Sequence, residues 1–284
     1  MAVTCRALPE PDPDEPLLRA AVERAGGEYA LVPWDGDEYD WNEADLVVPR
    51  STWNYYEDPA TFLAWAEHVA AATRLMNPIS VVRDNLHKGY LLELARAGVP
   101  TVPTVLVRCG ERRALEEVLD REGWTDVVIK PAIGARSWKN MRVNALSLEA
   151  GAAHLAALGA VQDALVQPYL ASVEGHGERS LVWIDGELTH SIRKEPRFGD
   201  SDESVSETAM ALPEGARAIV DAALATIDPS NDGTLLYARA DVVPDDAGRL
   251  VVMELELVEP SLFLAQAPSA LERFACALVR CARE

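Results

Sequence analysis

The sequence predicts an α/β (α+β) protein, and three observations lead there. Strand-like and helix-like segments alternate through the first third, which implies a mostly parallel sheet with helices packed on it. A second stretch of the same kind follows in the middle third. The last third instead carries two hairpin signals: apolar runs at 181–184 and 188–192 flank Asp185-Gly186, and residues 235–243 pair naturally with 250–257 across Asp245-Asp246-Ala247-Gly248.

Taken in order, strands are expected at 2–8, 28–33 and 44–49, with helices from Pro16 to a Gly26-Gly27 stop and over 59–73. Ligands of a parallel sheet sit beyond the carboxyl ends of its strands. The segment there, Arg50-Ser51-Thr52-Trp53-Asn54-Tyr55-Tyr56, is a candidate substrate loop, with an aromatic turn packed on the next domain as the alternative. Met76-Asn77-Pro78 breaks the pattern. A helix capped by Asp84 or Asn85 then carries Lys88 as far as a Gly98-Val99-Pro100 stop, which puts a domain boundary near Arg83. Strands at 104–107 and 127–130, helices at 111–122 and 147–158 and a strand reaching Val166 complete the middle. The polar stretch 195–209 reads as a mobile loop between the two hairpins. The expected division is an N-terminal α/β domain over 1–83, a central subdomain over 84–170 and a C-terminal subdomain over 171–284.

A chain of 284 residues that is 49% hydrophobic and 25% charged has the composition of a soluble globular protein, and no apolar run nears the roughly 20 residues that span a bilayer. The chain opens Met1-Ala2-Val3-Thr4-Cys5, without a basic segment or an extended apolar stretch, so it reads as a first strand in a cytoplasmic protein. Cys5, Cys109, Cys276 and Cys281 form no metal-spaced pair and are expected as free thiols. The net charge of −20 opposes nucleic acid and anionic membrane as partners. A homodimer is expected on base rate alone. Lysine is scarce: of 26 cationic residues only Lys88, Lys130, Lys139 and Lys194 are lysine, leaving 22 arginines. A lysine retained against that background suits phosphate, which a compact ammonium meets as a point charge.

The second hairpin concentrates the chemistry. With a four-residue turn, Asp241 falls opposite Val252 and Arg239 opposite Glu254. Alternation then sets Tyr237, Arg239, Asp241, Glu254 and Glu256 on one face, and Val251, Met253, Leu255 and Leu257 on the other. Carboxylates in such a ladder can close around a cation, and oxygen ligands without His or Cys favour Mg²⁺ or Mn²⁺. Arg239 paired with Glu254 on an open sheet face is the competing reading, and a one-residue slip would scatter the set. Upstream, the apolar strand 127–129 ends in Lys130-Pro131 and runs into Ala132-Ile133-Gly134-Ala135-Arg136-Ser137, a loop able to turn amides and a hydroxyl toward phosphate. It is neither a Walker A sequence nor a Rossmann fingerprint.

With Val166-Gln167-Pro168-Tyr169-Leu170, these pieces resemble the ATP-grasp superfamily in their order: an early lysine, a strand-end Lys-Pro with its small-residue loop, a hinge, an Asp-Gly hairpin, then Asp and Glu-x-Glu on paired strands. The resemblance covers nearly the whole chain and implies an ATP-grasp fold behind an N-terminal parallel-sheet domain. It implies that Lys88, Lys130 and Ser137 hold the ATP phosphates and that Gln167, Tyr169 and Leu170 meet adenine. Asp241, Glu254 and Glu256 then bind magnesium, and Arg179, Arg193 and Arg239 hold substrate carboxylate and transferred phosphoryl group, assisted by Lys194. A narrower resemblance is to the O-ureido-D-serine cyclo-ligases of cycloserine biosynthesis. It is carried by residues 49–55, Met76-Asn77-Pro78, Lys88-Gly89-Tyr90-Leu91-Leu92, Val102-Pro103-Thr104 and the run from Leu255 to Phe263. It implies a small amino acid-like substrate, contacted by Arg50, Ser51, Trp53, Tyr55, Lys194 and Ser261. Its carboxylate would be phosphorylated and then closed on a nitrogen of the same molecule. Joining two molecules, as glutathione synthetases do, is the alternative, and a non-catalytic ATP-binding protein or an apolar-pocket binder stands further off.

Overall fold

The computed structural model describes residues 1–36, 39–195, 204–227 and 235–284. Among these described residues the strands form three four-stranded sheets. The first contains β1 (Ala2–Thr4), β2 (Leu31–Pro33), β3 (Leu46–Ser51) and β4 (Arg74–Leu75) in the order β2-β1-β3-β4, every pairing parallel. Helices α1 (Glu15–Arg24) and α2 (Pro59–Ala72) make the crossovers. Asp58 caps α2, accepting a hydrogen bond from the Thr61 amide at 3.1 Å. Strand β1 is shorter than the expected 2–8, because the Arg6 amide turns to Asp35 (2.6 Å) and Pro9, Pro11 and Pro13 bring no donor.

The second sheet orders β5 (Val105–Val107), β6 (Val127–Pro131), β7 (Met141–Val143) and β8 (Ala164–Pro168) as β5-β8-β6-β7, all antiparallel despite the intervening helices α5 (Leu115–Glu122) and α6 (Leu148–Gly159). After the single-turn helix α7 (Ser172–Gly175), the third orders β9 (Glu178–Ile184), β10 (Glu187–Lys194), β11 (Tyr237–Pro244) and β12 (Leu250–Glu256) as β10-β9-β11-β12, also antiparallel. The Asp185-Gly186 turn is as expected, with φ of 48° and 83° at its two residues. Residues 196–203 of the polar stretch lie outside those described. Its remainder runs back along β10, the Ser206 amide donating to Arg193 O (2.9 Å) and the Met210 amide to Ser191 O (2.8 Å).

Two helical pieces determine how the sheets meet. Leu91 and Leu94 of α4 (Tyr90–Arg96) are fully buried against Leu181, Ala240 and Leu255 of the third sheet, together with Val220 and Ala223 of α8 (Ala216–Ile227). Each such leucine contributes roughly 1.5–3 kcal/mol. Tyr90, Leu91, Leu94 and Val99, in a stretch assigned in sequence to the central subdomain, therefore pack on the third sheet. Helix α9 (Pro268–Arg283) sits between the first and third sheets, Phe274 meeting Val48, Ile184 and Tyr237 in one core. Lys88 is not helical as expected. It occupies the turn between α3 (Ile79–Asn85) and α4, where the His87 ring accepts from the Gly89 amide (3.0 Å) and the Lys88 amide is drawn to Ala132 O (2.8 Å). All four cysteines are free. Among the described residues no helix is long and apolar enough to cross a membrane.

Candidate active site

The rack of carboxylates forms, in a different register from the one expected. Arg239 faces Glu256 and Asp241 faces Glu254, whereas Val242 faces Val252. The hairpin loop is one residue longer than a four-residue turn, since Pro244 pairs with Leu250, and Met253 adds a β-bulge. Each change shifts the register by one. Together they shift it by two, so the side chains keep the same face while their partners change. Asp241, Glu254 and Glu256 each offer an oxygen, and these oxygens lie within 4.8 Å of one another. Three carboxylates with neither His nor Cys are a donor set for Mg²⁺ or Mn²⁺, so the residues fit the metal the chemistry calls for.

Cations surround the acids. Arg239 reaches Asp241 (3.0 Å) and Glu256, and Lys194 bridges Asp241 (2.9 Å) and Glu178 (2.5 Å). Lys88 Nζ lies 2.9 Å from Glu254 and donates to Gly134 O at 2.6 Å. Ser180 on β9 donates to Asp241 at 2.7 Å. Burial works against ionisation of every acid here, but Arg239 and Lys194 hold Asp241 far below the usual range, and Lys88 and Lys130 hold Glu254 below it. Desolvation prevails at Glu256 and Glu178, each pushed up to about 7. Lys130, only 6% exposed at the end of β6, has its ammonium pKa lowered by burial, with Glu254 resisting.

The cavity above this rack is lined by Lys88, Lys130 and Ser137, by the hinge residues Gln167, Tyr169 and Leu170, and by Val102, Val128, Val173 and Met253. Tyr169 is fixed by its amide on Asp126 O (2.8 Å) and by the Arg142 guanidinium 3.5 Å from its ring centroid. Buried Gln167 spends its amide on Thr104 (2.8 Å). Across the cavity, residues 132–138 lie against the N-terminal domain through Arg136–Glu10 (2.9 Å) and through Trp138, whose ring centroid is 4.8 Å from that of Tyr56.

Beyond β12 the chain is held by five consecutive carbonyls, each taken by a side chain from elsewhere. Tyr237 donates to Val258 O (2.7 Å), Trp53 to Glu259 O (3.4 Å), Arg50 to Pro260 O (3.1 Å), Arg239 to Ser261 O (3.3 Å) and His190 to Leu262 O (3.0 Å). This strap presents Glu259 and Ser261 to the cavity, which Trp53 and Tyr55 also line.

Not every sequence-derived candidate reaches the cavity. Arg50 and Ser51 stand behind the strap, Arg50 also 3.8 Å from Asp14 and Ser51 bonded to Thr4 (3.0 Å). Arg179 and Arg193 pair with each other across β9 and β10 on the face opposite Glu178, Ser180 and Lys194. Arg179 donates to Met210 Sδ and Arg193 to His176 O. Sequence reasoning missed Glu178 and Ser180, which strand alternation with Lys194 and Asp241 could have found, and Met253, whose bulge leaves no local signal. It also missed Glu259, although that residue stands inside the quoted run 255–263.

Residues 1–77 match the family described as D-cycloserine synthetase DcsG, N-terminal domain. The chain is 36% identical over 279 residues to the cycloserine biosynthesis protein DcsG of Streptomyces lavendulae, covering 94% of this chain and 93% of that one. The crystal structure of D-cycloserine synthetase DcsG superposes with a TM-score of 0.90 at 34% identity, covering 99% of this chain and 98% of that one. D-alanine–D-alanine ligase from Bacillus anthracis (TM-score 0.67, 18% identity, 99% and 96% covered) and the ATP-grasp ligase PsnB with its minimal precursor (0.64, 15%, 99% and 98%) share the fold.

Proposed function

The chain belongs to the D-cycloserine synthetase (DcsG) family of ATP-grasp ligases, and from that premise we propose that it phosphorylates the carboxylate of a small amino acid-like substrate and closes it on a nitrogen of the same molecule. The observation that carries the reading is the convergence of Asp241, Glu254 and Glu256 beside Lys88. Cycloserine is itself a small cyclic amide, so ring closure is the product chemistry the family name implies.

In this reading Lys88, Lys130 and the loop ending at Ser137 hold the triphosphate, while Gln167, Tyr169, Leu170 and Met253 enclose adenine. Asp241, Glu254 and Glu256 hold magnesium, which draws negative charge off the phosphates when bound. A carboxylate approaching a tetra-anionic nucleotide is repelled, and Arg239 and Lys194 offset that repulsion. A substrate oxygen displaces ADP from the γ-phosphorus and forms an acyl phosphate. The substrate nitrogen then attacks the acyl carbon, inorganic phosphate leaves, and the nitrogen loses its proton. The strap 258–262 keeps the two ends of one small molecule aligned, and such alignment is where intramolecular reactions gain most of their advantage. ATP as co-substrate fits a cytoplasmic enzyme.

The test is a panel of amino acids and O-substituted serines with Mg-ATP. One amine-bearing compound should by itself elicit ADP and phosphate, and its product should weigh less than the compound; a product heavier than either of two partners would mean intermolecular coupling. Asp241→Asn should lower turnover by about 100-fold or more while the far-ultraviolet circular dichroism is kept. An unchanged rate would remove Asp241 from the metal site.

A further inference from the structure

Glu259 is a carboxylate of the cavity wall that has no role in this scheme. Glu259 is only 6% exposed, yet its side chain lines the cavity with Trp53, Tyr55 and Ser261. The metal-competent cluster comprises Asp241, Glu254 and Glu256 and does not include it, although Glu256 is near enough to act on it. The cations that act on it are engaged elsewhere: Arg239 with Asp241 and Glu256, Lys88 with Glu254, and Arg50 with Pro260 O and Asp14. Among the described residues its carboxylate has no ion-pair partner within the protein. Its backbone is fixed, because its own carbonyl and both adjacent ones are clamped by Trp53, Tyr237 and Arg50.

We propose that Glu259 is the specificity-determining residue for the substrate's amine: its carboxylate receives the ammonium group of the amino acid-like substrate while Arg239 and Lys194 face the carboxylate end. The inference rests on the ligase reading and deepens it. A buried carboxylate is unfavourable until a cation meets it, and an amino acid-like substrate brings one as its ammonium. Trp53 donates to the Glu259 carbonyl and lines the same cavity with Tyr55, which puts the aromatic wall of the N-terminal domain beside it. Aromatic faces favour a cation over a neutral group of the same size. Desolvation holds the Glu259 carboxyl well above the ordinary range, with Glu256 adding to the effect, and an arriving ammonium would reverse that shift. A zwitterion gripped at both ends has one orientation in the cavity, which determines which carboxylate oxygen meets the nucleotide and which nitrogen stays free for ring closure.

The experiment compares the turned-over substrate with its des-amino analogue, identical except for hydrogen in place of the amine, in the full-length wild type, Glu259→Gln and Glu259→Asp. Wild type should favour the amine-bearing compound by about 100-fold in kcat/KM. In Glu259→Gln that preference should fall below about tenfold, through a raised KM for the amine-bearing compound, with the KM for ATP within about threefold of wild type; Glu259→Asp should recover part of it. An unchanged preference in Glu259→Gln, or an equal loss with both compounds, overturns the assignment. Should the Gln variant fail to fold, the wild type decides alone: equal affinity for the substrate and its des-amino analogue overturns it. A wild type that forms no ADP with any amine-bearing carboxylate sinks the ligase reading itself, an outcome distinct from turnover without amine discrimination.

Discussion

Lys88 and Lys194 each rest on a carboxylate that the proposed chemistry assigns to magnesium, Lys88 on Glu254 at 2.9 Å and Lys194 on Asp241 at 2.9 Å. The pairing resolves an electrostatic problem of the protein by itself, since acids and ammonium groups partly withdrawn from water are unfavourable singly. Binding of metal and triphosphate would exchange partners, carboxylates turning to the cation and lysines to phosphate, so that no buried charge is stranded on either side of the reaction. His190 shows the opposite solution, a buried base kept neutral. Its Nε2–H donates to Leu262 O at 3.0 Å, and burial lowers its pKa from 6.5 to about 4 against the pull of the Leu262 and Phe263 carbonyls. Because the folded pKa is depressed, the native state is undisturbed above pH 6.5. As pH falls below that value the unfolded chain takes up a proton that the folded one refuses until about pH 4. Urea unfolding at pH 7 and pH 4.5 should therefore show a loss of stability that is roughly 2 kcal/mol smaller in His190→Asn than in wild type. Equal losses would mean that His190 titrates normally in the native state.

The metal-binding strand β12 depends on its outer edge as much as on β11. Asn85 spans that edge like a strand of its own, its Nδ2 donating to Leu255 O (2.8 Å) and its Oδ1 accepting from the Leu257 amide (2.8 Å), while Tyr90 accepts from the Leu255 amide (3.0 Å). Asn77 does the same between Leu236 and Leu257. Asn85→Ala leaves a buried carbonyl and a buried amide unpaired, which should lower stability by about 2–4 kcal/mol and blunt activity through displacement of Glu254 and Glu256. Chemical denaturation measures the first effect, and a change below about 0.5 kcal/mol would show that the edge is held by other means. The same element shows what was legible beforehand. Two-residue alternation was enough to bring Asp241, Glu254 and Glu256 to one face, because the longer loop and the Met253 bulge cancel in parity. Their cross-strand partners were not legible, since a bulge answers to contacts such as the Val252 amide on Pro100 O (2.9 Å) that belong to another part of the chain. Alternation also bore on Arg193 and Lys194. Neighbours on one strand point to opposite faces, so only one of the two could enter the cavity.

Across the whole molecule, the order of motifs along the chain carried the ATP-grasp fold, whereas the packing of the connecting pieces had to be seen. Nothing local in residues 90–96 says that α4 belongs with the third sheet, and nothing in 268–283 says that α9 fastens the first sheet to the third; both follow from which apolar faces remain uncovered once the sheets form. The result is a cavity whose walls come from all three sheets, with Lys130 on the second, the carboxylates on the third and Trp53 beyond the first. A ligand bound there touches every part of the molecule, so its binding energy should appear as global stability. A non-hydrolysable ATP analogue with Mg²⁺ at about 100 times its Kd should stabilise the fold by about 2.7 kcal/mol, a rise in Tm of roughly 6 °C for a chain of this size. At the same nucleotide concentration, chelation of the metal or the substitution Glu254→Gln should each cut the rise to below roughly 2 °C, because the phosphates then meet carboxylates with no cation between them. A rise that persists undiminished without metal would separate the nucleotide site from the three acids, and with it the proposed phosphoryl transfer from the residues assigned to it.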